Sequence, residues 1–98
     1  MRIPTSFPIL GQTITVHTIP PEDWEYGEEC VGCYESEWNT IAIRGDYTGT
    51  KREQIFFHEL VHACLDSLSS KLNHNEKFVD QLAGVLHQAF SKAKYKRA

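Results

Sequence analysis

Two histidines four residues apart, His58 and His62, with Glu59 directly after the first, form a His-Glu-x-x-His pattern within the segment Ile55 to Leu68. On an α-helix, residues i and i+4 lie one above the other with Cβ atoms about 5–6 Å apart. Two imidazoles so placed can converge on one zinc ion at about 2.0–2.1 Å each, and Glu59 then stands beside the water that a catalytic zinc carries. At about 100° per residue, His58, Glu59, His62 and Asp66 fall in one narrow arc. Ile55, Phe56, Phe57, Leu60, Val61, Ala63, Cys64, Leu65 and Leu68 cover the rest of the surface. Apart from Ser67, the only polar face of the helix is the face that would hold the metal. Burying such a stripe of ionisable groups is costly unless something compensates them.

A chain with five histidines meets this pattern by chance about once in fifty, so the flanks matter. Thr50-Lys-Arg-Glu53 reads as a capping box, which starts the helix about a turn before the motif and leaves both histidines mid-helix.

A catalytic zinc normally has three protein ligands and an open position. Candidates for the third are Asp66, His74, Glu76, Asp80 and His87. Asp66, one turn beyond His62 on the same helix, is badly placed to close a tetrahedron. Glu76 as ligand, with Asp80 accepting a histidine N–H one turn later, is a coherent arrangement. An acid at a helix start is also favoured by the helix dipole alone, with no metal.

The elements that must position these groups follow from periodicity. Ile9 to Ile19 alternates imperfectly and reads as a strand ended by Pro20-Pro21. Glu22 to Glu29, with Trp24, Tyr26 and Gly27, reads as a loop. Gly32 to Glu35 and Thr40 to Arg44 flank Ser36-Glu37-Trp38-Asn39 as a hairpin, and Gly45 to Gly49 leads into the capped helix. A second helix is expected from about Asn75 to Lys92, with an apolar face of Phe78, Val79, Leu82, Ala83, Val85, Leu86, Ala89 and Phe90. Small Ala83 and Gly84 would let the helices approach closely. The expected fold is α+β over one domain spanning residues 1–98: a small antiparallel sheet or hairpin, then two packed helices on one side of it.

His58-Glu59-x-x-His62 followed by a glutamate on the next helix resembles the gluzincin branch of zinc metallopeptidases. Glu76-x-x-Val79-Asp80-x-Leu82-Ala83 is similar to a segment of the ImmA/IrrE-type peptidases of bacteria and their mobile elements, and the order of hairpin and motif is similar to small phage-encoded metallopeptidases. The resemblance covers roughly residues 30–90. It implies a minimal zincin-like domain that binds Zn2+ through His58, His62 and Glu76, with Asp80 orienting a histidine. It also implies a hydrolase that cleaves peptide or protein substrates, with Glu59 as general base. The alternative reading keeps the metal and the fold but serves as an interaction module without efficient hydrolysis. A third treats the motif as accidental on a helical hairpin.

Composition narrows the partners. A net charge of −3 argues against nucleic acid, whose binders present a strongly basic face. The basic run Lys92, Lys94, Lys96, Arg97 is expected to sit in the last helical turns, where cations complement the dipole. No apolar run approaches the roughly 18 residues that span a membrane, and Met1 to Thr5 lacks signal-peptide character. With three cysteines and no regular framework, a reducing, cytoplasmic setting is expected. Cys30-Val-Gly-Cys33 lacks the second pair a structural zinc site needs and reads as two ordinary thiols near a turn, with Cys64 in the core. His17, His74, His87, Tyr26, Tyr34 and Tyr47 remain candidates for stabilising an oxyanion, His74 first among the histidines. Trp24 and Trp38 read either as core or as the wall of a groove.

Overall fold

The computed structural model describes residues 1–96. Its order is β1 (Ser6–Ile9), β2 (Gln12–Ile19), β3 (Gly32–Glu35), β4 (Thr40–Arg44), α1 (Gly49–Ser67) and α2 (Glu76–Ser91), with 3₁₀ turns at Pro21–Asp23 and Lys71–His74. The fold class is α+β, and the sheet is mixed rather than antiparallel. Strands run in the order β1-β2-β4-β3, with β2 and β4 parallel and the outer pairs antiparallel.

The single strand expected over Ile9 to Ile19 is a hairpin. Leu10 and Gly11, at φ 47° and 83°, form its two-residue turn with the left-handed geometry that matches strand twist. A leucine in that position hides the turn from a search for Asn-Gly or Asp-Gly. The parallel pair has a different cause. Thr40 to Arg44 is the most apolar strand, with Ile41, Ala42 and Ile43 all buried, so it takes the centre of the sheet. Once β3 has folded back on β4, only the other edge of β4 is left for β2.

Strand alternation puts Val16, Ile41 and Tyr34 in one row on the side facing α1. Ile14, Ile41 and Ile43 meet Ile55, Phe56, Phe57, Val61 and Leu65 of α1 there, with Val79 and Ala83 of α2 closing the core. Each such buried aliphatic side chain contributes about 1.5–3 kcal/mol. Helix α1 lies against β3 and β4, and α2 packs on α1.

Helix α1 starts without the expected capping box. Thr48 occupies the N-cap, in extended conformation and with no side-chain cap hydrogen bond. Gly49 supplies a φ of 57° at the entry. Glu53 is drawn elsewhere: one carboxylate oxygen meets His87 Nε2 at 2.9 Å and the other meets the Met1 amine at 3.1 Å. At the other end, Cys64 and Leu68 are exposed rather than core, because α2 covers a different side of α1.

The second helix runs close to expectation. Asn75 Oδ1 accepts from Phe78 N–H at 3.0 Å and sets its start. Val85 lies off the buried stripe and is exposed, and Phe90, past the end of the core, stacks on Phe57 at 6.1 Å. Lys94 and Lys96 follow the helix end at Ser91 instead of lying within its last turns; Arg97 lies outside the described residues.

Ala83 serves the helix contact, whereas Gly84 faces open space, with no atom within 4 Å of an added Cβ. Gly84→Ala is therefore expected to raise stability by about 0.4–1 kcal/mol by restricting the unfolded chain, which a shift of the urea midpoint at constant slope would register. Among the described residues, no helix is long and apolar enough to cross a membrane.

Candidate metal centre

Phe56, Phe57 and Val61 sit in the core and fix the roll of α1, which turns His58 and His62 toward a cleft. Their rings lie edge to face with centroids 5.0 Å apart. Across the cleft, the cap at Asn75 begins α2 at Glu76, whose carboxylate faces both rings. Glu76 Oε2 is 3.3 Å from His58 Nε2 and Oε1 is 3.2 Å from His62 Nε2. One ligand atom from each of His58, His62 and Glu76 lies within 4.8 Å of the others. These three residues form a group that could hold a metal ion.

The far sides of the rings are held as well. His58 Nδ1 lies 2.7 Å from Asp80 Oδ1, and His62 Nδ1 lies 2.7 Å from Asn73 Oδ1. Both partner atoms are acceptors, which suits an Nδ1–H donor on each ring and leaves each Nε2 facing a Glu76 oxygen. Metal-ligating histidines are held in the same way, with the other ring nitrogen donating to a carboxylate or carbonyl oxygen. The donor set of two imidazoles and one carboxylate suits zinc.

Glu59 is the one buried charged side chain in the described core, 8% exposed. Burial raises its carboxyl pKa and Glu76 adds to the rise; His58, His62 and the Tyr34 N–H pull the other way. The close approach of β3 explains the burial. A Cβ on Gly32 would sit 2.5 Å from Ile55 Cγ2, and 3.2 and 3.3 Å from Glu59 Cγ and Oε2. Only glycine lets the strand lie this close over the carboxylate. Gly32→Ala is expected to cost about 1–3 kcal/mol through forced displacement, seen as a lower denaturation midpoint.

Strand β3 is at the sheet edge. Val31 C=O accepts from Arg44 N–H, so by alternation Gly32 and Tyr34 turn their own N–H and C=O groups outward along the cleft. The Tyr34 N–H is directed at Glu59 and the Tyr34 carbonyl accepts from the Cys33 thiol at 3.8 Å, which leaves both backbone groups of Gly32 open. The cleft, about 900 Å³, runs between this edge and the two helices.

Other candidates divide between the cleft and elsewhere. Asp66 is on the cleft wall, where its Oδ2 accepts from the Tyr34 hydroxyl at 3.1 Å. Burial and this bond hold the Tyr34 pKa up at about 12. His87 also lines the cleft but is tied to Glu53. His74 is exposed on the 3₁₀ turn and does not line the cleft, and His17 is exposed on β2. Tyr26 donates to Glu35 and packs against Trp24, while Tyr47 packs against the core. Trp38 stands exposed in the hairpin turn. Cys30 and Cys33 are free thiols that line the cleft. Burial first, then Glu59 and Glu35, push the Cys33 pKa to about 11, so it remains a neutral thiol rather than a nucleophile.

Asn73 and Gly32 are the site residues that sequence reasoning missed. Neither carries a spacing signal: Asn73 reads as an ordinary loop residue and Gly32 as the first residue of a strand. Comparison of the chain with protein-family models, curated proteins and solved structures finds no match.

Proposed function

We propose that the protein is a zinc-dependent peptidase. The observation that carries this reading is the convergence of His58 Nε2, His62 Nε2 and the Glu76 carboxylate beside the buried carboxylate of Glu59. Bound to these three residues, zinc supplies a Lewis acid that acidifies a water and polarises a scissile carbonyl. Asp80 and Asn73 hold the two rings with their Nε2 atoms toward the cleft. Glu59 takes a proton from the attacking water at a carboxylate oxygen and returns it to the nitrogen of the leaving amine, while the C–N bond breaks. Gly32 offers an extended peptide the open edge of β3, so that backbone hydrogen bonds present a peptide bond to the site.

The test is hydrolysis of an unfolded protein by the metal-loaded chain. Cleavage is expected to stop when zinc is chelated and to return on adding about one equivalent. Zinc held stoichiometrically with no cleavage of any unfolded substrate would replace this reading with that of a zinc-binding interaction module.

A further inference from the structure

Asp66 is a carboxylate of the cleft wall that the metal group does not use. It lies one turn beyond His62 on the same face of α1, about 5–6 Å along the helix. The Tyr34 hydroxyl holds its Oδ2 at 3.1 Å, which fixes the direction of the carboxylate while Oδ1 has no hydrogen bond among the described residues. No ammonium, guanidinium or imidazole lies within ion-pair distance of it among those residues. At the opposite end of the cleft, Glu29 shares the wall with Lys51. Asp66 is thus an oriented, uncompensated charge at one end of a groove whose other end carries both signs.

Strand β3 converts that position into a direction along the substrate. It runs from Gly32, beside Ile55 and Glu59, to Tyr34, beside Asp66, so β3 and α1 advance together. A peptide pairing antiparallel with β3 therefore places its N-terminal side at the Tyr34–Asp66 end.

We propose that Asp66, held by Tyr34, is a specificity residue that selects a cationic group on the N-terminal side of the bond presented to the metal group. The group is either the peptide's α-ammonium or a lysine or arginine side chain. This rests on the peptidase reading for the word substrate, but the recognition itself can be read by binding. An exposed ion pair is weak and screened by salt, so about a threefold preference is expected at low salt, falling as salt rises. Charge reversal at Asp66 should turn the preference round.

The experiment measures peptide affinity by fluorescence anisotropy on zinc-loaded Glu59→Gln protein, and cleavage of the same peptides by the native chain. The peptides are extended and apolar, with lysine, norleucine or glutamate at successive positions and with free or acetylated N-termini; the last comparison separates α-ammonium from side-chain recognition. Lysine or the free amine should bind better than its neutral counterpart. Asp66→Asn should remove the difference, and Asp66→Lys should favour glutamate, with both variants keeping the native circular dichroism. An Asp66-dependent preference in binding without cleavage upholds this inference and overturns the peptidase reading. Cleavage or binding with no charge preference, or with a preference that Asp66→Asn leaves unchanged, overturns the inference alone. Absence of both binding and cleavage overturns both.

Discussion

Protein carrying His58→Ala or His62→Ala should retain no zinc after purification without added metal, where the native chain should hold close to one equivalent. Each substitution removes one of two Nε2 atoms that face a shared carboxylate, and no other described residue joins that group. Glu76→Ala should be nearly as severe, because it removes both oxygens that face the rings. The residues behind the rings should behave differently. Asp80→Ala and Asn73→Ala leave all three ligands in place but free a ring to rotate or to change tautomer, so each should weaken zinc by about 10–100-fold. That range corresponds to about 1.4–2.7 kcal/mol of binding free energy. Asp66→Ala should leave zinc affinity unchanged. Elemental analysis and competition with a chromophoric chelator would give the full ranking. Stoichiometric zinc in the double His58→Ala, His62→Ala protein would remove the site altogether, and a Glu76→Ala protein that binds zinc normally would move the third ligand elsewhere.

The second large effect should come from one atom pair in Glu59. Glu59→Gln keeps the size and shape of the side chain, and the amide oxygen can still accept from the Tyr34 N–H. It loses only the ability to take and return a proton. Hydrolysis should therefore fall by about 10²–10⁴-fold, with zinc content unchanged. Stability should not drop, because the native carboxylate is buried and its charged form is disfavoured there. Turnover, metal content and denaturation midpoint measured on one preparation would test all three statements. A Glu59→Gln protein that loses zinc as completely as the histidine variants would make Glu59 a ligand and refute its assignment as proton carrier.

The parts of this site that were legible in the sequence share one property: their geometry is local. A helix puts residues four apart on one face, so His58 and His62 are neighbours before any tertiary contact is considered. Asp80 follows Glu76 by the same spacing. That regularity made a ligand with an orienting acid behind it a coherent expectation, and the structure brings Asp80 Oδ1 to His58 Nδ1. The β3–β4 hairpin and the start of α2 were legible for the same reason, through turn and cap residues that act within a few positions.

The remaining features depend on which surfaces meet. The sequence by itself determined the α+β order, the two helices and the stripe of histidines, because periodicity and capping act over one or two turns. Only the tertiary structure decided that β2 runs parallel to β4, since that choice follows from competition among strands for the most apolar centre. The same holds for Glu53, whose three-residue spacing from Thr50 suggested a capping box, until His87 and the Met1 amine, 34 and 52 residues away, claimed its two oxygens. Asn73 behind His62, Gly32 over Glu59 and Tyr34 against Asp66 are likewise contacts between separate elements. No short-range rule encodes them, because each arises from the packing of α1 against β3 and α2, which places distant residues within hydrogen-bond or van der Waals distance.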